Sequence, residues 1–590
     1  MTAILGLNAF HPDSSACLLL DGRLVGAVAE ERLGSRNKHT CAFPENAIRW
    51  VLADAGLRLR DVSHIAVARQ PGANLTAKMR YVLSNPSLGV KSVQRFLTRQ
   101  AGTAKTLANL AEICGEDPAA VRYKVHGVEH HLAHISSAYY LSPFEEVTAG
   151  FSFDGSGDFV SAMAARCEGN RIEVLQKVNV PNSLGYFYTA ICQFIGFDLF
   201  GEEYKVMGLA PYGEDRYADA MERIVHLNGT DWFRLNHKYF DVPRGMHEAH
   251  LSSEGEMRLG RIYSDALIAL LGQPRKRKDD ITQREKDIAR SAQVMFERAA
   301  AQCITSLGRM VPLTRMAMAG GCALNGVMNA RIYRDFPVEK VYLHSAASDD
   351  GTAIGAAYHC WHMGLGQTER FEMKHSFWGP SYEADRIRRA VAASGFEAME
   401  CADDDDVIAV TADHIAAGAV LGWYQGRSEW GPRALGNRSI LANPAIRDMK
   451  ATINEKIKKR ESFRPFAPSV LREEVGRFFE QDIESPFMMH VVKFKPEWRE
   501  VFPAVTHVDG TGRLQSVDPD NNPMYYRLIR ALKDRTGYGI VLNTSFNENE
   551  PVVDTPEQAI ACFARTDMDV LVLGRHVLVK PAYARVGVAK

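Results

Sequence analysis

The chain has 590 residues, 46% of them hydrophobic. That length suffices for at least two ordinary domains, because single cores stop growing at about 250–300 residues. The 70 Lys and Arg residues nearly balance the 71 Asp and Glu residues. The resulting formal charge of -1 excludes a global positive field that would attract nucleic acid or an acidic membrane.

The ten cysteines occur singly, without a CxxC pair. This spacing is typical of reduced structural thiols, so histidine and carboxylate side chains must supply any metal ligands. The beginning of the chain carries no positively charged leader, and no run of eighteen apolar residues occurs. The sequence therefore predicts a soluble cytoplasmic protein, a monomer or homodimer, without a membrane or nucleic-acid partner.

The first elements form a pattern that recurs. An apolar strand "AILGLNAF", a polar turn "HPDSS" and a hairpin at Asp21-Gly22 open the chain. From residue 147 a second strand, the turn "DGSGD" and a hairpin around Gly169 repeat this order. The repeat predicts two duplicated α/β halves, the organisation of actin-like and sugar-kinase-like ATPases.

The segment "EHHLAH" at 129–134 is the clearest candidate for a metal site. On a helix, His130 and His134 share one face and could hold a divalent ion, whereas His131 points elsewhere. A histidine-rich but purely structural cluster is the ordinary alternative for such a motif. If the turn is distorted, the pair His131 and His134 would take the place of the first pair.

Further along, residues 281–307 predict a long amphipathic helix, followed by a short strand and the turn "AGGCALN". Glycines between a strand and a helix allow a ligand to approach backbone amides. Because the periodic pattern breaks around 362–382, we place the domain boundary there, with domains 1–365 and 366–590.

In the second domain, cations alternate with Gly, Pro and aromatic residues in "GPRALGNRSIL", "KIKKRESFRPFAPS" and "HVDGTGRLQSV". Arginines fixed on loops favour an anion as ligand. The sequence predicts a phosphate-binding pocket with Ser545 as a hydroxyl donor and the following cations: Arg433, Arg438, Lys458, Arg460, Arg464 and Arg513.

These motifs together resemble one family, the O-carbamoyltransferases of natural-product biosynthesis that modify aminoglycosides, cephems, macrolides and nodulation factors. The similarity runs from "ILGLNAFHPDSSACLLLDG" through "EERLGSRNKH", "FDGSGD", "GEEYKVMGLAPYG" and "SDDGTAIGAA" to "NTSFN". It implies an actin-like N-terminal domain similar to the tRNA threonylcarbamoyl-transfer protein. It also implies a C-terminal α/β domain of the YrdC-like type, which makes threonylcarbamoyl-adenylate.

The resemblance implies that the C-terminal domain converts carbamoyl phosphate and ATP, with Mg²⁺, to carbamoyl-adenylate and pyrophosphate. Arg433, Lys458, Arg464, Arg513 and Ser545 match the carbamoyl phosphate site, with Arg438 and Arg460 in support, and Lys458 is also expected to be catalytic.

In the N-terminal domain, the resemblance implies a metal held by His130, His134 and Asp349, with Asp350 as the alternative carboxylate. Fe(II) is favoured for this set, and Zn(II) or Mn(II) also suits it. The residues expected to bind the nucleotide are Asp154, Gly155, Glu202, Lys205, Gly320, Gly321 and Asn325. His131 is expected to support the site.

His11, on the first polar turn, is the predicted general base that deprotonates the acceptor hydroxyl, because an imidazole has a suitable pKa. Asp13 is expected to orient His11 or to contact the adenylate. The predicted acceptor is a hydroxylated small molecule of secondary metabolism, as in antibiotic biosynthesis. Two alternatives remain: threonylcarbamoyl transfer to tRNA, and an actin-like nucleotide-binding regulator without catalysis.

Overall fold

The computed structural model describes residues 1–9, 11–34, 37–84, 109–227, 232–242, 250–251, 257–461 and 463–584. The chain divides into two compact units, Met1–Met373 and Lys374–Lys590. In the described part of the chain, none of the helices has the length and apolar composition needed to cross a bilayer.

The strands of the N-terminal unit are β1 Ala3–Asn8, β2 Ser15–Leu20, β3 Arg23–Ala29, β4 His64–Val67, β5 Lys124–Gly127, β6 Thr148–Gly157, β7 Val160–Glu168, β8 Arg171–Asn179, β9 Val225–His226, β10 Arg234–Leu235, β11 His250–Leu251, β12 Met257–Arg258, β13 Arg315–Ala319 and β14 Lys340–Tyr342. Its α-helices are Glu30–Leu33, Glu45–Asp54, Leu75–Ser84, Leu110–Ile113, His130–Tyr139, Leu184–Phe194, Tyr204–Leu209, Ala218–Ile224, Asp265–Leu271, Gln283–Gly308, Gly326–Asp335 and Thr352–His359.

Two five-stranded sheets of this unit have the same topology. Their strand orders are β3-β2-β1-β4-β5 and β8-β7-β6-β13-β14. In each sheet a three-stranded antiparallel meander continues into two parallel strands. The duplication and the actin-like, sugar-kinase-like α/β class predicted from the recurring hairpins are therefore confirmed.

Close approaches between backbones bring the elements of the candidate site together. A Cβ at Gly6 would lie 2.3 Å from the Ala353 carbonyl oxygen, so helix Thr352–His359 can lie directly on β1. A Cβ at Gly355 would lie 1.8 Å from the Ala133 carbonyl oxygen. Only glycine permits this contact, and it brings the helix that begins at His130 against the helix that follows Asp349.

The predicted long helix is confirmed as Gln283–Gly308, and its N-terminus carries a capping box between Thr282 and Glu285. The sequence pattern of residues 74–120 predicts mostly helical structure, and this segment and residues 214–280 are expected to shape the acceptor pocket. Of these two segments, residues 85–108, 228–231, 243–249 and 252–256 lie outside the described residues.

The C-terminal unit contains a nine-stranded mixed sheet in the order β15-β23-β22-β16-β17-β21-β18-β20-β19. Its strands are β15 Ala398–Glu400, β16 Leu421–Tyr424, β17 Arg438–Ala442, β18 Ala467–Leu471, β19 His490–Lys493, β20 Thr511–Val517, β21 Ile540–Ser545, β22 Val570–Leu573 and β23 His576–Val579. Its α-helices are Ala384–Ala393, Asp404–Ala416, Met449–Thr452, Val475–Phe478, Pro496–Arg499, Pro523–Thr536, Pro556–Arg565 and Pro581–Ala584. The α/β class predicted for this part is confirmed.

Candidate active site and cation pocket

The histidine segment forms the first turn of helix His130–Tyr139. The Glu129 carboxylate accepts a hydrogen bond from the Leu132 amide at 2.8 Å and caps the helix. The Asp158 carboxylate accepts another from the His130 amide at 3.1 Å. These contacts fix the start of the helix, so the spacing of four residues places His130 and His134 on one buried face.

His130, His134 and Asp349 converge on one point. The two imidazole Nε2 atoms lie 3.1 Å apart, and each lies 3.3 Å from Oδ1 of Asp349. Asp154 Oδ2 lies 3.6 Å from His130 Nε2 and 3.9 Å from His134 Nε2. These four side chains offer ligand atoms close enough to one another to surround a single cation.

The chemistry of these donors fits a divalent ion. Asp349 Oδ1 is buried, and among the described residues it accepts no hydrogen bond. Burial by itself would raise the pKa of Asp349, but His11, His130 and His134 hold it well below the usual range, so the carboxylate is ionised. Between the two aspartates that the sequence left open, Asp349 is the one that lies with the histidines.

His11 contacts the second oxygen of the Asp349 carboxylate. Its Nδ1 donates a hydrogen bond to Asp349 Oδ2 at 2.6 Å, and its ring centroid lies 4.7 Å from that of His130. An Nδ1–H held in this way leaves Nε2 with a lone pair that can accept a proton. Asp349 thus orients His11, which was one of the two roles expected of Asp13, because Asp13 instead accepts a hydrogen bond from His39. The other role of Asp13, contact with the adenylate, stays a prediction.

His131 is fully buried and lies outside the metal group. Its Nε2 donates to the Val160 carbonyl at 3.0 Å, and its Nδ1 lies 2.9 Å from the Ser152 hydroxyl. Both ring nitrogens are thus engaged, and neither is available to a metal or to a substrate. The alternative ligand pair of His131 and His134 is not the arrangement that this helix adopts.

Asp154 connects the metal group to the predicted nucleotide turn. Its Oδ1 accepts a hydrogen bond from the Gly321 amide at 2.9 Å, while Oδ2 faces the histidines. Gly320 has a φ of 103°, and a Cβ there would lie 2.1 Å from the Phe153 carbonyl oxygen. Only glycine allows this turn, and Asn325 caps the helix that follows by accepting from the Met328 amide.

The remaining residues predicted to bind the nucleotide are Gly155, Glu202 and Lys205, and each contacts other protein groups. Gly155 follows Asp154 on β6 and packs beneath Tyr186. Glu202 and Lys205 form an ion pair at 2.7 Å, and Arg277 also contacts Glu202 at 2.7 Å. Their binding of a nucleotide stays a prediction.

Gly157 is a site residue that sequence reasoning missed. A Cβ there would lie 2.0 Å from the ring of His130, so the ring can occupy its position only beside glycine. Gly157→Ala should displace His130 and weaken metal binding by about 10- to 100-fold, the usual effect of disturbing a ligand's support. Metal content measured after dialysis checks this expectation.

Gly72→Ala is the matched control for that substitution, because a Cβ at Gly72 meets nothing within 4 Å. It should retain metal at the parent level. Equal metal content in Gly157→Ala and the parent protein would show that His130 is not a ligand.

His39 belongs to a second group beside the site. Its Nδ1 lies 2.7 Å from Asp13 Oδ1, and its amide donates to the Glu31 carboxylate at 2.8 Å. Burial lowers the pKa of His39, but Asp13, Glu31 and Glu203 raise it to about 9. The imidazolium therefore stabilises the fold at pH values below its unfolded pKa of about 6.5, and this stabilisation is lost as the pH rises through 9.

His39→Gln should consequently lower the free energy of unfolding near pH 6 by about 1–2 kcal/mol after screening by solvent. The difference between the variant and the parent should shrink towards zero above pH 9. Urea unfolding of the variant and the parent near pH 6 and above pH 9 measures this difference in the free energy of unfolding. A difference that does not change with pH would contradict the ion pair.

In the C-terminal unit, Lys458 anchors a buried polar cluster. Its Nζ lies 2.7 Å from both the carbonyl oxygen and Oδ1 of Asn547, and 3.3 Å from the Ser545 hydroxyl. The Lys458 side chain is only 1% exposed. A buried ammonium fixed by these oxygens is held in place, and lysine is a common ligand of phosphate oxygens.

Other cations of this unit repel one another. Burial and the neighbouring Arg433 hold the pKa of Arg513 well below its ordinary value. Burial chiefly, with Arg513 and Lys450 contributing, lowers the pKa of His507 to about 4 although Asp509 raises it. Since an arginine stays protonated in proteins, these shifts indicate positive charge that an anion would compensate. Sequence reasoning missed Lys450 and His507.

The other predicted pocket residues serve the fold as well. Arg438 is fully buried, donates to the carbonyls of Gln425 and Asn437, and lies 3.6 Å above the Tyr424 ring. Its Nη atoms thus contribute to the fold through backbone carbonyls, and its support of an anion stays a prediction. Arg460 donates to Asn454 Oδ1 at 2.8 Å, and Arg464 lies 3.4 Å from the Glu461 carboxylate.

Comparisons with known proteins agree with this architecture. The protein-family model "Carbamoyltransferase N-terminus" matches residues 3–358, and the family model "Carbamoyltransferase C-terminus" matches residues 412–580. The chain is 36% identical to the nodulation protein NolNO of Sinorhizobium fredii, over 97% of this chain and 80% of that protein. It is 38% identical to the nodulation protein NolO of Bradyrhizobium diazoefficiens, over 77% of this chain and 79% of that protein. A protein of Synechocystis sp. is 37% identical over 99% of this chain and 97% of its own length.

The family models that match this two-part α/β chain are those of group-transfer enzymes. The chain belongs to the carbamoyltransferase family. This membership confirms the prediction of a carbamoyltransferase and favours it over both tRNA threonylcarbamoyl transfer and a non-catalytic regulator.

Proposed function

We propose that this protein transfers a carbamoyl group from carbamoyl phosphate to a hydroxyl group of a small molecule, with carbamoyl-adenylate as the intermediate. The observation that carries the proposal is the carboxylate of Asp349. One of its oxygens accepts from His11, and the other faces His130 and His134. A base and a cation site joined by one carboxylate suit the attack of an alcohol on an activated carbonyl.

Carbamoyl-adenylate would be made in the C-terminal unit. For the atoms to balance, water first cleaves carbamoyl phosphate into carbamate and phosphate. A carbamate oxygen then attacks the α-phosphorus of ATP, supplied with Mg²⁺, and pyrophosphate leaves. Lys458, Arg433 and Arg513 would hold the negative charges of these reactants, because guanidinium and ammonium groups bind phosphate oxygens strongly.

Transfer would take place in the N-terminal unit. The acceptor oxygen attacks the carbamoyl carbon while its proton moves to Nε2 of His11, and AMP leaves. Asp349 holds the His11 ring in the tautomer that can accept this proton and stabilises the imidazolium that forms. The Gly321 turn and Asp154 would position the adenylate.

His130, His134 and Asp349 would hold the metal, with Asp154 beside them. We propose Fe(II), because two histidines and one carboxylate with open positions form its preferred set, although Zn(II) and Mn(II) also suit these ligands. When bound, the ion would supply a Lewis acid for a phosphate or carbonyl oxygen. The acceptor we propose is a hydroxylated product of secondary metabolism, such as an antibiotic.

Exchange of labelled pyrophosphate into ATP tests the first step. We expect exchange that requires carbamoyl phosphate, and a panel of hydroxylated metabolites should then yield a carbamoylated product. Exchange without carbamoyl phosphate, or product formed without ATP, would contradict the adenylate. Added tRNA should leave the products unchanged.

A further inference from the structure

His64, His126 and Cys360 form a second group of potential metal ligands in the N-terminal unit. His64 opens β4, and His126 lies on the neighbouring strand β5, where the parallel register pairs Ala66 with His126. Because side chains alternate along a strand, His64 and His126 share one face of the sheet. Cys360 directly follows helix Thr352–His359, which packs on this sheet.

The three side chains lie within coordination distance of a common point. Nδ1 of His64 lies 2.9 Å from Nε2 of His126, and one donor atom from each of the three side chains lies within 4.8 Å of the others. A Cβ placed on Gly364 would be 3.7 Å from both the Cys360 sulfur and Nδ1 of His126. Cys360 is 1% exposed, while both imidazoles reach the surface, so an ion could enter from the imidazole side.

The group is distinct from the candidate active site. Asp349 precedes helix Thr352–His359, and Cys360 follows it. Eight helical residues span about 12 Å, so the two groups lie at opposite ends of one helix. The group also differs chemically, because it offers a thiolate where the active site offers carboxylates.

We propose that His64, His126 and Cys360 bind a zinc ion. Two imidazoles and one thiolate are ligands that Zn(II) prefers, and three protein ligands leave a fourth position to water. Binding would release the thiol proton of Cys360 to solvent. The ion would join β4 and β5 to the end of the helix that begins beside Asp349, and would thereby brace the element that carries the active-site carboxylate.

One neighbouring charge opposes this ion. Burial is the largest influence on each ligand, lowering the pKa of His64 and His126 and raising that of Cys360, and Lys124 on β5 lies close enough to lower the pKa of all three. Burial raises the pKa of Cys360 to about 11 overall, so the thiol is protonated until a metal displaces its proton. Removing the Lys124 charge should therefore strengthen binding.

Titration of the metal-free protein with Co(II) tests the proposal, since only a thiolate ligand produces a sulfur-to-cobalt absorption band. We expect a band that saturates when this site is filled and disappears in Cys360→Ser and in His126→Ala, whereas Co(II) bound by the histidines and carboxylates of the candidate active site gives no such band. Cys114→Ser is the matched control, because Cys114 is a half-buried thiol of the same unit outside the group, and it should keep the band. Lys124→Ala should lower the Co(II) concentration needed for half-saturation several-fold.

Zn(II) should also raise the thermal unfolding midpoint of the parent protein and of Cys114→Ser by more than that of His126→Ala, in which only the candidate active site can still bind the ion. His126 is only half-buried, so His126→Ala should fold. It therefore tests the proposal even if the substitution of the buried Cys360 by serine prevents folding. Absence of the band in the parent protein, its persistence in His126→Ala, or weaker binding in Lys124→Ala would each overturn the proposal. None of these readouts depends on carbamoyl transfer, so failure here leaves the proposed function standing.

Discussion

Lys458→Ala should abolish the formation of carbamoyl-adenylate, with pyrophosphate exchange falling on the order of 100- to 1,000-fold. The ammonium of Lys458 is buried and bonded to Ser545 and Asn547, so it is held in place before any substrate arrives. A preorganised charge of this kind stabilises charge that develops on phosphate oxygens more effectively than a mobile one. Exchange of labelled pyrophosphate into ATP measures the loss.

Lys459→Ala is the matched control. It removes the same charge one residue further on, from a side chain that is 58% exposed and paired with Glu548 at 3.0 Å. Because exposed ion pairs contribute little, exchange should stay near the parent rate. Equal losses in the two variants would show that the net charge of the segment matters and that Lys458 has no specific role.

His11→Ala should retain adenylate formation and lose transfer. Removing a general base slows a reaction on the order of 100- to 10,000-fold, and the cations that would form the adenylate belong to the other unit. Pyrophosphate exchange and carbamoylation of the acceptor, measured on the same preparation, separate the two steps.

His226→Ala provides the comparison, because His226 is an exposed histidine of the same unit on β9. It should support both steps at the parent rate. Transfer at the parent rate by His11→Ala would show that another group accepts the proton.

Local signals predicted much of this protein. The hairpins at Asp21-Gly22 and Gly169 were recognisable because such turns require particular residues, and their recurrence revealed the duplicated sheets. The pair of His130 and His134 followed from helical spacing alone. Their convergence with Asp349 came from the family resemblance, since more than two hundred residues separate these positions in the chain.

Other features depend on contacts that no local pattern encodes. Orienting His11 was one of the two roles expected of Asp13, but His11 contacts Asp349 and Asp13 contacts His39. Each partner comes from a different element of the chain. Arg438 was grouped with the other arginines because it lies among the same kinds of residues, Gly, Pro and aromatics. Its side chain is nevertheless buried over the Tyr424 ring, and only the packing of the sheet reveals this position. Gly157 lies in the turn "DGSGD", but its specific role was not predictable from that turn, because the ring of His130 that requires glycine there belongs to a separate helix.

Rapid-quench analysis of His11→Ala tests the two-site account most directly. The variant is mixed with ATP labelled at the α-phosphate and carbamoyl phosphate labelled at carbon, in the presence of an acceptor. A doubly labelled adenylate should accumulate in His11→Ala and should be missing from Lys458→Ala. If no species carrying both labels forms in His11→Ala while the parent protein turns over, the carbamoyl group reaches the acceptor without an adenylate, and the account is wrong.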